Sequence, residues 1–503
     1  MGNDLIQISG LTSRHSSSVP GAPPDPLPEP AADISARPFS APADPPAGST
    51  IGPTGPAEKT FYIETFGCQM NVHDSEKVAG VLMARGYRPV ESHDDADLIL
   101  YNTCSIREKA AQKVFSRLGV FKKQQDRAGR AGGGGNARIV GVLGCVAQQE
   151  GERIFERAPQ VGLVCGSASY SKLPDLLHQI EDGNRRVSGL SLEIDECFET
   201  EMTRRDNPFR AYLTIIEGCD KACSYCVVPM TRGPERSRPA ERILADCRRL
   251  ADEGYTEIQL LGQNVNSYRD PRPNGLSFAD LLAAVAEVYG VRRVRFTTSH
   301  PRDFTPEIVR AIESHPTLCD QVHLPVQSGS TRVLANMLRG YTRDEYMAKI
   351  DCLRGSRRPI SLSTDIIVGF CAEMEEDFQQ TLSLLDEVEY DQVFSFKYSP
   401  RPNTSAAGLV DSVPEEEKGR RLAVLQERQR EIQLRRNRAC IGQEFEVLVE
   451  NYQPRLGQAV GRTTSNRVIN FAGEPAWVGR YMNVRVTEAG PNSLVGIRVG
   501  DCT

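Results

Sequence analysis

Cys219, Cys223 and Cys226 stand in the segment CDKACSYC, a CxxxCxxC spacing. Three thiolates in one short loop can ligate three irons of a cubane 4Fe-4S cluster. The fourth iron is then left without a protein ligand, and an open metal position is where chemistry happens. Zinc is the alternative, but zinc knuckles usually pair two CxxC units and no second unit lies nearby. A second set of thiols is dispersed: Cys68 ends TFYIETFGC, Cys104 ends ADLILYNTC and Cys145 ends IVGVLGC. Each follows a strand-like run and precedes a helical one. In a parallel sheet such positions converge at the carboxyl edge, where α/β folds bind ligands. These three could meet there as a second three-thiolate cradle; the alternative is three separate buried core thiols. Cys165, Cys197, Cys247, Cys319, Cys352, Cys371, Cys440 and Cys502 lack both contexts as a set and read as buried or incidental thiols. Cys165 follows a strand and is the nearest imitator.

The elements that must position these cysteines come in three blocks. Residues 59–185 alternate strand and helix (TFYIETF, ADLILYNT, ARIVGVLG and VGLVCG are the strands), which implies a parallel sheet. Residues 205–437 repeat the rhythm with RAYLTIIEG, EIQLLGQN, RVRFTTS, QVHLPVQS, ISLSTDIIVGF and QVFSFKYS, six β/α units that suggest a barrel or partial barrel. The CxxxCxxC loop follows the first of these strands, at the face where barrels place active sites. Residues 415–438 read as a long charged helix with a narrow apolar stripe, Leu422, Leu425 and Ile432. Residues 438–503 break into short β-like runs separated by Gly, Pro and Asn, a small all-β barrel pattern. Residues 1–58, rich in Pro and Ala, bury too little apolar surface to fold and are expected to be a disordered tail. Gly132–Gly135 reads as a local insertion.

The chain has 503 residues, 39% of them hydrophobic and 25% charged, and a net charge of −6. That balance excludes a globally basic nucleic-acid binder, so any RNA contact must rest on local patches. No apolar run approaches the roughly 18–20 residues needed to span a bilayer. Neither a secretion signal nor a transit peptide is evident, and a cytoplasmic protein without a membrane association is expected.

The cysteine loop in its barrel-like setting resembles the radical S-adenosylmethionine (SAM) superfamily. Residues 59–503 as a whole resemble the methylthiotransferase family: ETFGCQMNVHDSE, NTCSIREKA, LGCVAQ, CSYCVVPMTRGPERSRP, LLGQNVNSY, TSHP, VHLPVQSGS, RGYTRDEY and TDIIVGF follow in its order. The last block, with GRTTSNRVINF, looks like a TRAM domain, a small β-barrel associated with RNA binding. QMN, IRE and GQNVNSY are most similar to the group that acts on N(6)-dimethylallyl-adenosine in tRNA. Two departures stand out. Cys371-Ala372-Glu373-Met374 replaces the family's Pro-Gly-Glu-Thr, so different packing is expected at that end of the sheet. Ser405, in SPRPNTSAA, stands where the family often has proline.

The resemblance implies an N-terminal parallel α/β domain, a radical SAM partial β/α barrel and a C-terminal TRAM-like β-barrel. It implies an enzyme that methylthiolates carbon 2 of N(6)-dimethylallyl (isopentenyl) adenosine at tRNA position 37, beside the anticodon. It assigns Cys219, Cys223 and Cys226 to the 4Fe-4S cluster that cleaves SAM to methionine and a 5′-deoxyadenosyl radical. Cys68, Cys104 and Cys145 go to a second 4Fe-4S cluster that carries the inserted sulfur, and SAM serves as both methyl donor and radical source. No catalytic side chain beyond the cluster ligands is implied. Tyr225, Gln263, Asn264, Thr298, Gln327, Arg339 and Asp365, most of them strand-end polar residues, are the expected SAM contacts. Arg435, Arg436, Arg462, Arg467, Arg480 and Arg485 are the expected contacts to a tRNA anticodon stem-loop. Arg420, Arg421, Arg428, Arg430 and Arg438 add charge to the same helix, which a solvated, Glu-balanced face would equally explain. A low-potential electron donor (flavodoxin- or ferredoxin-like) and a sulfur donor are implied partners. Alternatives are the same chemistry on threonylcarbamoyl-adenosine in tRNA or on an aspartate of a ribosomal protein. A third, non-catalytic iron–sulfur RNA-binding or redox-sensing protein would need neither SAM nor CxxxCxxC.

Overall fold

The computed structural model describes residues 59–105, 108–130, 138–192, 199–200 and 203–500, without side chains at 108–110 and 124–130. The 1–58 tail, the Gly132–Gly135 run, Ile106 and Arg107 of the IRE motif, Cys197 and Cys502 lie outside the described residues.

The first block forms a six-stranded, all-parallel sheet. Its centre is Thr60–Phe66, Leu98–Thr103 and Ile139–Leu143, with Leu163–Cys165 next. The expected four strands are extended at the edges by two short ones, Arg88–Pro89 and Val187–Gly189, too brief to show an alternation in sequence. Both faces are apolar: Tyr62, Ile99 and Val142 pack on one side, Ile63, Leu100 and Leu143 on the other. Two covered faces are the rule for parallel sheets.

Six parallel strands of the second block follow one another in space as they do in sequence. Arg210–Thr214, Glu257–Leu261 and Arg293–Phe296 make one sheet; Gln321–His323, Ser361–Val368 and Gln392–Lys397 make the other. A bridge between Val294 and Leu318 joins the two into a partial barrel. Side chains alternate across each strand. Ala211, Leu213, Ile258, Leu260, Val294, Phe296, Val322 and Ile366 point outward into the layer shared with the helices. The opposite set, including Tyr212, Gln259, Arg295, His323 and Asp365, therefore lines a polar interior. Helix Glu415–Arg438 closes the block, burying Leu425 and Ile432 of its expected stripe and half-burying Leu422. Each fully buried Leu or Ile contributes roughly 1.5–3 kcal/mol.

The last block is a closed five-stranded barrel, Glu444–Gln453, Gln458–Thr463, Val468–Ala472, Leu494–Arg498 and Tyr481–Ala489 in that order. It docks against the amino ends of the large barrel's strands. Arg293 donates to the carbonyls of Arg462 and Glu446, each at 2.8 Å, and Arg295 to that of Thr463 at 2.7 Å. Arg210 bridges Glu257 and Glu450. Burial alone would raise the Glu257 carboxyl, but Arg210 and Arg295 beside it hold it down at about 2. No described helix is long and apolar enough to cross a membrane.

Candidate functional site

Strand register brings the dispersed cysteines together. Phe66 pairs with Thr103, Asn102 with Leu143, and Thr103 bridges to Gly144. Cys68, Cys104 and Cys145 lie one or two residues beyond these pairs, on one stretch of the carboxyl edge. The Cys104 amide donates to the Phe66 carbonyl at 3.0 Å, and Cys68 is the residue that starts helix Gln69–Ala84. Gly67 is required there: its φ is +138°, and a Cβ on it would stand 2.4 Å from the Cys104 Cβ. Beneath the edge, Asn102 Nδ2 donates to the Asn71 carbonyl and to Ser75 Oγ, both at 2.9 Å. A hydrogen bond from Cys104 draws the Cys68 thiol down to about 6, against its burial. Cys165, next along the sheet, is different in kind. It is turned into the apolar core with Leu163, Tyr170 and Leu173, and burial pushes its thiol up to about 12.

The local set sits in the loop after the first barrel strand. Gly218 allows the turn: its φ is +79°, and a Cβ would meet the Pro234 carbonyl oxygen at 2.0 Å. The loop is pinned from several strands. The Ser224 amide donates to the Met337 carbonyl at 3.0 Å, and Lys221 pairs with Asp303 at 2.8 Å. Arg339 reaches Cys223 Sγ and Tyr225 Oη, each at 3.3 Å, and its other arm donates to the Pro325 carbonyl at 2.7 Å. His300 Nδ1 accepts from the Arg302 amide at 3.2 Å, which leaves Nε2 facing Cys223 Sγ at 3.9 Å. Burial, aided by nearby cations, pushes His300 down to about 2, so it is neutral. Burial pushes the Cys219 thiol up to about 11 and Cys226 to about 12. Such thiols ionise when a metal centre binds them, which releases protons and uses them as ligands. Among the described residues no three His, Cys, Asp or Glu side chains gather closely enough for one ion. A cubane is ligated corner by corner, one thiolate per iron, so its donors stand further apart than those of a single zinc.

The sheet edge that carries the dispersed cysteines docks on the barrel. Helix Gln69–Ala84 lies against the first barrel strand, with Lys77 Nζ 3.4 Å from Thr214 Oγ1. Gln69, directly after Cys68, accepts from Gln259 Nε2 at 2.8 Å on the barrel's inner face. Sequence reading did not single out Gln69, Gln259 or His300. The polar alternation of EIQLL was a signal for Gln259, whereas Gln69 matters only through its docking.

Of the expected SAM contacts, Gln263, Asn264, Thr298 and Gln327 follow the carboxyl ends of barrel strands, whereas Asp365 stands within Ser361–Val368 and Tyr225 and Arg339 lie on loops. Gln263 Oε1 accepts from the Gly218 amide, and its Nε2 is buried without a partner among the described residues. Asn264 Nδ2 donates to Asp303 at 2.7 Å, and its Oδ1 is likewise unpartnered, as is Ser299 Oγ. Thr298 and Gln327 hold left-handed backbone, φ 68° and 77°, a strain that collects at functional sites. The Gln327 amide donates to the Asp365 carbonyl at 2.9 Å, and the Asp365 carboxylate lies 3.5 Å from His323 Nε2. Tyr225 packs against Val333, Met337 and Phe370. Orphaned buried donors and acceptors beside an iron–sulfur loop suit a polar, zwitterionic ligand.

The arginines are less available than their sequence density suggests. Arg435 pairs with Glu389, Arg436 and Arg467 with Asp391, Arg462 with Glu450, and Arg485 with Glu444. Arg480 is exposed and has no such pair among the described residues.

At the departure from the family pattern the turn itself is retained. Ala372 takes φ 61° where the family has Gly, and Glu373 accepts from the Gly369 amide at 2.9 Å while pairing with Arg421. Met374 starts helix Glu375–Val388, and its thioether cannot cap it as the family's Thr would. The expected repacking of the sheet end is thus confined to a strained alanine and a lost cap.

Fold and site together are those of a radical SAM protein: the Radical SAM superfamily pattern matches residues 213–385. The pattern described as Uncharacterized protein family UPF0004 matches residues 60–166, and the TRAM domain matches 438–499. The radical S-adenosylmethionine methyltransferase TsrM from Kitasatospora setae shares the fold, at a TM-score of 0.50, 12% identity and coverage of 69% of this chain and 77% of its own. The tRNA-2-methylthio-N(6)-dimethylallyladenosine synthase of Solibacter usitatus (strain Ellin6076) is 63% identical, covering 87% of this chain and 97% of its own. That of Koribacter versatilis (strain Ellin345) is 58% identical over 89% and 100%. The chain belongs to the tRNA-2-methylthio-N(6)-dimethylallyladenosine synthase family.

Proposed function

We propose that this protein methylthiolates carbon 2 of N(6)-dimethylallyl-adenosine in tRNA, at position 37 beside the anticodon. The observation that carries the reading is a sheet edge that brings Cys68, Cys104 and Cys145 together and docks, through Gln69, on the inner face of the barrel whose loop carries Cys219, Cys223 and Cys226. An aromatic C–H bond at this carbon is beyond a side-chain acid or base at neutral pH, so the chemistry needs a radical source. Membership in the superfamily supplies one 4Fe-4S cluster and SAM, and a second cluster is the reading of the Cys68, Cys104 and Cys145 edge. When bound, these groups supply radical formation and the sulfur to be inserted. Cys219, Cys223 and Cys226 hold the first cluster, and Arg339 and His300 fix the orientation of Cys223 from two sides. Gln263, Asn264 and Ser299, with Tyr225, Thr298, Gln327 and Asp365 around them, hold SAM through the polar atoms left open.

The RNA contacts are proposed for Arg480 first, because it is exposed and has no ion pair among the described residues. Arg435 and Arg485, in exposed pairs, would exchange a carboxylate for a phosphate in a near-even trade, whereas Arg436, Arg462 and Arg467 would leave the more buried carboxylates of Asp391 and Glu450 behind at a cost. Division of labour follows residues 59–185, 205–437 and 438–503, with 1–58 outside it. A low-potential electron donor and a sulfur donor complete the reaction, in the cytoplasm. Nucleoside mass spectrometry of tRNA from cells lacking the gene tests the whole: the methylthio nucleoside should vanish and its N(6)-dimethylallyl precursor accumulate. Loss of a threonylcarbamoyl derivative, or of a modified ribosomal-protein aspartate, with that nucleoside intact would overturn it.

A further inference from the structure

The short helix that follows the CxxxCxxC loop ends in an arginine whose surroundings use only part of it. Arg232 is the last residue of helix Val228–Arg232 and is 4% exposed. Its Nη2 donates to Asp74 Oδ2 at 2.5 Å, and Asp74 lies on the helix that Cys68 starts. Its helix packs against Gly144–Glu150, which carries Cys145, and Ser167 Oγ, from the turn after Leu163–Cys165, donates to the Thr231 carbonyl at 2.9 Å and pins the helix end. Arg232 thus touches or abuts the segments of Cys68, Cys145 and Cys226 at once. Its Nη1 has no hydrogen-bond partner among the described residues, and neither has Asp74 Oδ1. A buried guanidinium N–H without an acceptor is costly, and natural structures rarely leave one unless a ligand completes it. The other buried cation nearby, Lys77, already faces Glu199 and Glu217.

Resting on the reading of Cys68, Cys104 and Cys145 as a cluster cradle, we propose that Arg232 is a positioning residue for that cluster. Its free Nη1 donates to a ligating thiolate or cluster sulfur, while Asp74 takes the other arm and fixes the orientation. Three thiolates on an iron–sulfur core make a buried anion, and a buried anion needs a compensating charge. Burial disfavours the charge on Arg232, but Asp74 and the Cys145 thiol beside it more than offset this, so the guanidinium is held well above its ordinary value and stays charged. A cation and a hydrogen bond at the sulfurs favour the reduced, more negative state and make the potential less negative. The fork of an arginine can serve carboxylate and sulfur together, which an ammonium does less well.

The test is a redox titration followed by electron paramagnetic resonance. It uses the full-length chain with Cys219→Ala, Cys223→Ala and Cys226→Ala, so that only the other cluster gives a signal. In that background Arg232→Gln should shift the midpoint to more negative potential. Arg232→Lys should recover most of the shift. Asp74→Asn with Arg232→Gln, which leaves no lone buried carboxylate, should still titrate below the parent. Loss of the cluster from both neutral variants, with Arg232→Lys retaining it and all three melting cooperatively, would support the same role. A midpoint and signal unchanged in the double variant at full iron content would overturn the proposal while sparing the cradle. A background chain that holds no iron would overturn the cradle itself, and this proposal with it.

Discussion

The sheet edge and the barrel loop are two solutions to one problem, the presentation of three thiols from a protein scaffold. In the loop, three cysteines lie within one turn-rich segment, and the scaffold only has to hold that segment still. At the edge, three cysteines come from three strands, and the scaffold is the sheet register itself. Their chemistry differs accordingly. Burial pushes Cys219 and Cys226 of the loop up to about 11 and 12, whereas a neighbouring thiol draws Cys68 of the edge down to about 6. Local spacing makes a site legible, and topology makes one that is already polarised before any metal arrives.

The most severe break in this comparison separates the two sets by function. Replacing Cys219, Cys223 or Cys226 by Ala should abolish both reductive formation of 5′-deoxyadenosine and methylthiolation. Replacing Cys68, Cys104 and Cys145 together should abolish methylthiolation while 5′-deoxyadenosine continues to form, with about half the iron retained. Loss of SAM cleavage in that folded variant, with its barrel cluster intact, would merge the two roles.

Alkylation of the iron-free chain at pH 7 sharpens the contrast. The thiolate is the nucleophile, so Cys68 should react roughly 100-fold or more faster than Cys219 or Cys226, and all three are partly accessible. Peptide mass spectrometry over a time course reads the order. The sign for stability follows from linkage. Cys68 ionises more readily folded than unfolded, so its contribution is present above about 8.5, the unfolded value. That contribution is lost as pH falls through about 6. Cys219 and Cys226 act oppositely, and their share is lost as pH rises from about 8.5 through their raised values.

Glycine replacements sharpen it further. Gly67→Ala should cost about 1–3 kcal/mol in backbone strain and the iron of the edge set only. Gly218→Ala should cost a similar amount and the iron of the loop set only. Iron content per chain and thermal melts report both. The smallest effect is a control far from either set. Ala372→Gly with Met374→Thr should stabilise the chain by about 1–2 kcal/mol, seen as a raised Tm, with iron content and turnover unchanged.

Both sets were legible for different reasons. CxxxCxxC is local, and the strand-end rhythm of Cys68, Cys104 and Cys145 follows from buried strand runs that each end just before a cysteine. Cys165 shared that rhythm, and only the face of its strand, turned into the core, tells it apart. The carboxylate partners of the arginines of residues 435–485 were not legible, because several of them, Glu389 and Asp391 among them, lie far away in sequence. Arg232 stood inside a quoted motif yet unremarked, since its significance depends on Asp74, which the docking of two blocks brings to it.

Docking of the small barrel has a thermodynamic meaning beyond RNA contact. Arg210, Arg293 and Arg295 take acceptors from Glu450, Glu446, Arg462 and Thr463, so the floor of the large barrel is completed by the last block. Ligands that bind only the folded small barrel therefore stabilise that floor by mass action. An RNA held by the small barrel would in this sense be a part-time structural subunit: its grip at one end of the molecule would raise the population of chains whose barrel is closed at the base.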